Sequence, residues 1–190
     1  MSDENLECRL AAGAVLRTWD GLAGVHRFVV QERDVGVAEA GKVGLGAGFI
    51  NTHKGETVTD GLLRELRMES DGILTPELVM DGLHYEPVYE DTVVGWAFKD
   101  KRTEGEISKM NKSHYFYMVD IDFEVAEALV KAGNRNAEVR NWFMVEADET
   151  AIVSLDWAEW RNILTPNEPG DFHQRQATLN ALKREPLFEV

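Results

Sequence analysis

Two glutamates, Glu65 and Glu69, lie four residues apart in the segment 59–70. Leucines recur in this segment at the spacing of one helical face, which predicts an amphipathic helix. On such a helix the two carboxylates lie one turn apart, with Cβ atoms about 5–6 Å apart, and repel each other weakly. A hard divalent cation that bridges both would turn this repulsion into a pair of ligands. A solvated acidic face is the alternative that the helix alone leaves open.

The residues around this pair indicate how the helix is held in place. Glu56 precedes the helix, where it can pair with Arg64 or favour the positive end of the helix. Gly61 costs about 1 kcal/mol relative to alanine inside a helix, so we expect another backbone to pass close to it. Gly72 follows the helix and predicts its end.

The order of these residues resembles the Nudix box. The family pattern is a glycine, five residues, Glu, seven residues, Arg-Glu-aliphatic, one residue, Glu-Glu, one residue and Gly-aliphatic. This chain has the glycine-rich GKVGLGAGF, then GET, then RELRMESDGI, and seven residues separate Glu56 from Arg64 as in the pattern. Glu65, Leu66 and Glu69 also fall in register. The sequence GETVTDGLLREL is most similar to that of MutT-type enzymes that clear oxidised purine nucleoside triphosphates. The resemblance spans roughly residues 10–160.

The chain departs from the Nudix box in its loop and in its helix. The matching first glycine is Gly48, and seven residues rather than five separate it from Glu56, which implies an insertion at residues 51–54. Met68, which cannot bind Mg²⁺, occupies the first position of the Glu-Glu pair, and one extra residue precedes Gly72. Two interpretations follow. In the first, the site binds fewer metal ions, or binds them more weakly, and still hydrolyses its substrate. In the second, the domain has lost hydrolysis and has kept nucleotide binding. Hydrolysis is favoured because the other box residues are present together.

The resemblance implies a hydrolase that uses Mg²⁺ or Mn²⁺ to cleave a nucleoside diphosphate linked to another group. Position by position, Glu65 and Glu69 would bind the metal and assist the deprotonation of water. Glu56 and Arg64 would hold the loop to the helix, and Gly48 would let the loop backbone approach the phosphates. The substrate would be a small-molecule nucleotide.

Further candidates for the site lie outside the box. VEADETAIVSLDWAEW resembles the acidic loop and closing strand of the family, in which a late carboxylate often serves as ligand or base. We prefer Glu149 to Glu146 and Asp148 for this role, and a solvated turn is the alternative for each. Lys54 and Arg33 could reach phosphate oxygens, but a solvated loop explains the first and a surface ion pair the second.

The resemblance gives the substrate only in outline. The favoured reaction converts a nucleoside triphosphate, oxidised purine nucleotides included, to monophosphate and pyrophosphate. The alternatives are an ADP-sugar or dinucleotide pyrophosphatase, a non-hydrolysing nucleotide-binding regulatory module, and an unrelated acidic α/β domain with a chance motif. Trp142 and Phe98 could stack on a base, although aromatic side chains mostly fill cores.

Patterned segments predict the elements that position these residues. The expected strands are, in order, 10–17, 26–32, 41–50, 84–91, 92–100 and 114–122. The expected helices are 59–70, 123–133 with Gly133 as its cap, and 172–184. Segment 101–113 is expected to be a polar connection, and 140–157 a strand, an acidic turn and then a strand or short helix. With the resemblance, this order predicts an α/β fold, the Nudix α/β/α sandwich with a mixed central sheet, in one domain over residues 1–190.

Composition limits the partners. The chain of 190 residues carries a formal net charge of -14, which repels a nucleic-acid backbone, so no nucleic-acid polymer is expected as a partner. Cys8 is the only cysteine, which excludes an internal disulfide and leaves oxygen or nitrogen ligands for a metal. No apolar run approaches the ~20 residues of a membrane span, and MSDENLECRL lacks the shape of a secretory signal. We therefore expect a cytoplasmic protein without a membrane partner, and a homodimer stays an open arrangement.

Overall fold

The computed structural model describes residues 6–35, 39–99, 106–132, 139–158 and 173–187. Within these ranges the strands form a seven-stranded mixed sheet, composed of Cys8–Asp20 (β1), Val25–Arg33 (β2), Val43–Gly44 (β3), Gly46–Phe49 (β4), Tyr89–Lys99 (β5), Ile107–Asp120 (β6) and Val139–Glu146 (β7). The α-helices in the same ranges are Val58–Glu69 (α1), Pro76–Asp81 (α2), Phe123–Ala132 (α3), Glu149–Ser154 (α4) and His173–Ala181 (α5). A short 3-10 helix covers Thr52–Lys54.

The central strand of the sheet is β1. One edge of β1 pairs in parallel with β6, and the other edge pairs antiparallel first with β4 and then with β2. The change of partner falls between Ala14 and Leu16. Residues 43–49 therefore pass from β2 to β1, first as β3 and then as β4. This passage carries the glycine-rich segment to the point where the strands diverge.

Two apolar cores cover the two faces of the sheet. Because successive side chains of a strand point to opposite faces, Ala14 and Leu16 of β1 join the core under α1, α2 and α3, whereas Val15 joins the core under α4 and α5. The sheet thus lies between two layers of helices. The predicted α/β/α sandwich with a mixed central sheet is confirmed.

Helix α1 has caps at both ends. Thr57 Oγ1 accepts a hydrogen bond from the Asp60 amide at 3.1 Å, and the Asp60 carboxylate accepts one from the Thr57 amide at 3.0 Å, forming a capping box. At the other end the Gly72 amide donates to the Arg67 carbonyl at 2.8 Å. Asp71 adopts the left-handed conformation there, with φ of 52°, so the helix cap absorbs the extra residue of the box.

The neighbour of Gly61 differs from the expected one. A Cβ at this position would overlap the Cδ1 atom of Ile50 and would lie 3.3 Å from Glu56 Oε2. The expectation of a passing backbone is wrong, because an apolar side chain from the end of the glycine-rich segment packs on the helix instead.

Three elements in the middle of the chain differ from the sequence-based expectation. Helix α2 was not predicted, although Thr75 caps it and Pro76 opens it. Strand β5 begins at Tyr89, so the first part of segment 84–91 is not a strand. Strand β6 begins inside the segment predicted as a polar connection, because polar side chains find partners within the sheet. Asn111 Oδ1, for example, accepts a hydrogen bond from the Gly95 amide at 3.0 Å.

The C-terminal part of the chain also differs from expectation. Helix α4 is the short helix that the pattern of 140–157 left open, and it stands where the resemblance implied a closing strand. Asp148 caps this helix by accepting from the Ala151 amide at 3.0 Å. Helix α5 ends at Ala181, earlier than predicted. Gly133 and residue 172 lie outside the described residues. None of the helices in the described part of the chain combines the length and the apolarity that a membrane span requires.

Candidate active site

Glu65 and Glu69 both turn toward the glycine-rich strand β4. Glu65 is 7% exposed and Glu69 is 5% exposed. A Cβ on Gly48 would lie 2.5 Å from Glu65 Cγ and closer still to its carboxylate, and a Cβ on Gly46 would lie 3.0 Å from Glu69 Oε2. Only glycine leaves room for these carboxylates against the strand backbone. The structure therefore brings Glu65, Glu69 and Gly48 together, and a solvated acidic face does not describe this pair.

Arg64 connects the loop before α1 to the helix. Its guanidinium donates to Glu56 twice, from Nε to Oε1 at 2.7 Å and from Nη2 to Oε2 at 3.1 Å. Nη2 also donates to the Phe49 carbonyl at 2.7 Å, and Nη1 donates to Glu65 Oε1. Glu56 Oε2 in turn accepts from the Asn51 amide at 2.6 Å. These bonds hold the strand end, the loop and the first glutamate in one unit, here called the Arg64 clamp.

Charge within the Arg64 clamp is stable across the neutral range. The hydrogen bonds from Arg64, and then from the Asn51 amide, lower the pKa of Glu56 to about 2. The same hydrogen bonds to Glu56 raise the pKa of Arg64 above its already high value. Both partners therefore stay ionised across the neutral range of pH.

Glu69 contacts a residue that the sequence analysis did not single out, Gln31. The Nε2 atom of Gln31 lies 2.8 Å from the Leu45 carbonyl and 3.4 Å from Glu69 Oε2. The Leu45 amide donates to Gln174 Oε1 of α5 at 2.6 Å. The available signal was a glutamine directly after an apolar strand run, in VVQ, where an inward polar side chain needs a partner.

The donor set of the site suits a hard divalent cation. Buried carboxylates require a compensating charge or hydrogen bonds. The described residues include no group of three or more His, Cys, Asp and Glu side chains placed to hold a metal ion. An ion bound by Glu65 and Glu69 would therefore complete its coordination with backbone carbonyls, water or substrate oxygens. Such an all-oxygen set fits Mg²⁺ and Mn²⁺.

Met68 and the residues after it lie at the outer edge of the site. Met68 is 48% exposed, in contrast to the buried Glu65 and Glu69 on the same helix. Asp71 is exposed in the helix cap, and Gly72 follows with φ of 82°. The position at which the box has its first paired glutamate is thus open to solvent in this chain.

The register of β7 shows where the acidic loop begins. Trp142 lies opposite Gln31, whose side chain contacts Glu69, whereas Glu146 lies opposite Arg27. Four residues of a strand span about 13 Å. The acidic loop therefore begins at the end of β7 that is remote from Glu69.

The late carboxylates serve the helix that follows this loop. Asp148 caps α4, and Glu149 is exposed in its first turn. Helix α4 packs on β7 and α5, while α1 packs on β1, β4 and α2. The structure does not bring the preferred Glu149 to Glu65 and Glu69, because the strand register directs the acidic loop elsewhere.

Lys54 and Arg33, the two basic residues predicted to reach phosphates, lie in different parts of the structure. Lys54 is exposed at the end of the 3-10 helix. Arg33 ends β2, with Cγ and Cδ 3.7 Å from the position of a Cβ on Gly44. Burial first, and then the charge of Arg33, lowers the pKa of Lys112 to about 8. Lys112 Nζ lies 5.4 Å from the centroid of the Phe49 ring, so this positive charge approaches β4 on the face opposite the glutamates.

Trp142 packs inside the protein. It is 4% exposed, and its ring lies 3.6 Å from the position of a Cβ on Gly46. Trp142 therefore fills the core beside the glycine-rich strand, as expected for most aromatic side chains, and is not placed to stack on a base. The side chain of Phe98 lies outside the described part of the structure.

No protein-family model and no curated protein matches the chain. Among solved structures, the chain is similar to a Nudix hydrolase from M. smegmatis, RenU, with a TM-score of 0.55 and 16% identity over 95% of this chain and 89% of that one. It is also similar to a mutT/nudix family protein from Listeria innocua, with a TM-score of 0.51 and 18% identity over 79% of this chain and 84% of that one. For a MutT protein from Methanosarcina mazei Go1 the TM-score is 0.50 and the identity is 13%, over 81% of this chain and 87% of that one.

Proposed function

The chain has the Nudix fold, and on that premise we propose that it is a divalent-metal-dependent hydrolase that cleaves a phosphoric anhydride bond in a nucleoside diphosphate derivative. The favoured reaction is the attack of water on a nucleoside triphosphate, which breaks one P–O–P linkage and releases monophosphate and pyrophosphate. Oxidised purine nucleotides are included as substrates because the box wording is most similar to that of MutT-type enzymes.

The observation that carries this proposal is the burial of two carboxylates against the face of β4 on which Gly46 and Gly48 carry no side chain. Glu65 and Glu69 lie beside Gly48 and Gly46, and the Arg64 clamp fixes the first of them. A chance motif on a surface helix would leave both acids in water. Ionised carboxylates that are removed from water need a cation or hydrogen bonds. Because Glu65 and Glu69 both lie against β4, one cation can serve both.

Each part of the site has a task in this reaction. A Mg²⁺ or Mn²⁺ ion held by Glu65 and Glu69 would neutralise the diphosphate and lower the pKa of its bound water. Arg64 orients Glu65 while remaining paired with Glu56. Gly48 keeps this face of the strand free of a side chain, which leaves the space that Glu65 occupies.

Net charge supports a small, metal-bound substrate. At -14 the protein repels free polyphosphates at long range. A nucleotide that arrives as its Mg²⁺ complex carries less negative charge, and the site itself supplies two further carboxylates to the ion.

A panel of nucleotides tests the proposal. Nucleoside triphosphates, oxidised purine triphosphates, ADP-ribose and dinucleotides are incubated with Mg²⁺, and the products are identified by mass spectrometry. We expect monophosphate and pyrophosphate from a triphosphate, with turnover reduced about 100-fold in Glu69→Gln. Glu77→Gln, an exposed glutamate on α2, is the matched control and should retain turnover. The absence of metal-dependent products from every substrate would contradict the proposal.

A non-hydrolysing nucleotide-binding module is the second candidate. The observation in its favour is the exposed Met68 at a ligand position, together with a late loop that begins away from the glutamates. This candidate predicts that a nucleotide with Mg²⁺ raises the melting temperature while no product appears. Thermal unfolding measured beside the product assay separates the two functions.

A further inference from the structure

Gln31 lies at the meeting point of three parts of the site. Its backbone pairs with Gly44 of β3 and with Trp142 of β7, and the residue is 2% exposed. Its side chain points to the same face of the sheet as the core under α1, where it reaches Glu69 in the last turn of that helix. A buried polar amide needs hydrogen-bond partners, and these partners fix its orientation.

The contacts of Gln31 determine which way its amide points. Leu45 offers a carbonyl oxygen, which can only accept, so the group that faces it at 2.8 Å must be the NH₂. The same NH₂ lies 3.4 Å from Glu69 Oε2 and has a second hydrogen to donate. A flipped amide would direct its own oxygen at two acceptors. The amide oxygen Oε1 is buried and has no hydrogen-bond partner among the described residues, so only the NH₂ side fixes the orientation.

The backbone acceptor that orients Gln31 is itself fixed. The Leu45 amide donates to Gln174 Oε1 at 2.6 Å, and Gln174 is a buried residue of α5. Gly46, the next residue, leaves the space in which Glu69 Oε2 lies. A continuous series of hydrogen bonds thus runs from α5, through the strand, to the carboxylate of Glu69.

The two glutamates are therefore held in chemically different ways. Arg64 holds Glu65 with a full positive charge. Gln31 donates to Glu69 from a neutral amide, which directs an oxygen atom and adds no positive charge of its own. A neutral donor suits a ligand whose charge must remain available to a cation.

We propose that Gln31 is a positioning residue of the proposed hydrolase, which orients the Glu69 carboxylate toward a divalent cation by donating from Nε2 to Oε2. This inference rests on the proposed function. The inference extends the proposed function by naming one residue outside the box, Gln31, on which metal affinity depends.

Mn²⁺ affinity tests the proposal in the absence of substrate. Gln31→Met keeps the length of the side chain and removes the donor, and we expect Mn²⁺ affinity measured by isothermal titration calorimetry to fall about fivefold. Gln31→Leu also removes the donor, with a different side-chain shape, and it should weaken Mn²⁺ binding to a similar extent. Val29→Ala, a buried change on the same face of β2, is the control that lowers stability and leaves Mn²⁺ affinity unchanged.

Kinetics separate positioning from a general loss of structure. We expect Gln31→Met to raise the Mn²⁺ concentration for half-maximal turnover, while KM for the nucleotide at saturating Mn²⁺ stays unchanged. Wild-type Mn²⁺ affinity in both Gln31 variants would overturn the inference and leave the proposed function intact. A crystal structure of Gln31→Met with Glu69 in its original conformation would overturn it as well. A wild-type protein that neither binds Mn²⁺ nor turns over would overturn the proposed function, and this inference with it.

Discussion

A single added methyl group on β4 should disable the site without unfolding the protein. In Gly48→Ala the new Cβ would lie 2.5 Å from Glu65 Cγ, about 1 Å short of the 3.4 Å at which ordinary contacts begin. The strand pairs with β1 at this residue, so the side chain of Glu65 must move instead. A displacement of about 1 Å at a reacting group can cost about 100-fold in rate.

The assay for Gly48→Ala combines turnover, metal affinity and stability. We expect turnover to fall about 100-fold and Mn²⁺ binding to weaken, while the protein still unfolds cooperatively. Gly61→Ala is the matched control on α1, because its Cβ meets the end of Ile50. There, overpacking of about 1–3 kcal/mol is partly offset by about 1 kcal/mol of helix propensity, and turnover should persist. Full activity in Gly48→Ala would refute the placement of Glu65 against this strand.

Three further predictions concern the clamp, the opposite face of the sheet and the edge of the site. Arg64→Lys, which cannot reproduce the paired hydrogen bonds to Glu56, should lower the free energy of unfolding by about 1–2 kcal/mol in urea denaturation. Burial lowers the pKa of His114 to about 2 and that of His173 to about 4, so below about pH 6.5 only the unfolded chain takes up these protons. Stability should therefore fall as the pH drops from about 6.5 toward 4, by up to roughly 1.4 kcal/mol per pH unit for each histidine, and His114→Phe should reduce this slope. Met68→Glu should tighten Mn²⁺ binding severalfold in calorimetry, and weaker binding would show that the box register assigned to α1 is wrong.

Local sequence signals predicted the parts of the site that depend on neighbours along the chain. The helix carrying Glu65 and Glu69 was predicted to within one residue at each end, because its leucine spacing and its caps are local. Glycines in the preceding strand were recognised for the same reason. The layered fold followed from the order of elements and from the resemblance of the box.

Features that depend on strand register were not predictable in this way. Gln31 and Glu69 are 38 residues apart in sequence, and they come into contact only because β2 pairs with β3 and α1 packs on β4. The register of β7 against β2 places the acidic loop, with Glu149, away from the glutamates. Strand β6 was missed at its start because Lys112 is charged, yet its stem packs on aromatic rings, with Nζ 5.0 Å from the centroid of Trp96.

Anomalous diffraction from a crystal soaked in Mn²⁺ and a non-hydrolysable nucleotide would show directly whether Glu65 and Glu69 bind a metal ion together. We expect a manganese peak in contact with carboxylate oxygens of both Glu65 and Glu69, with phosphate oxygens completing the coordination. A peak bound elsewhere, or a bound nucleotide with no manganese beside these two glutamates, would contradict it.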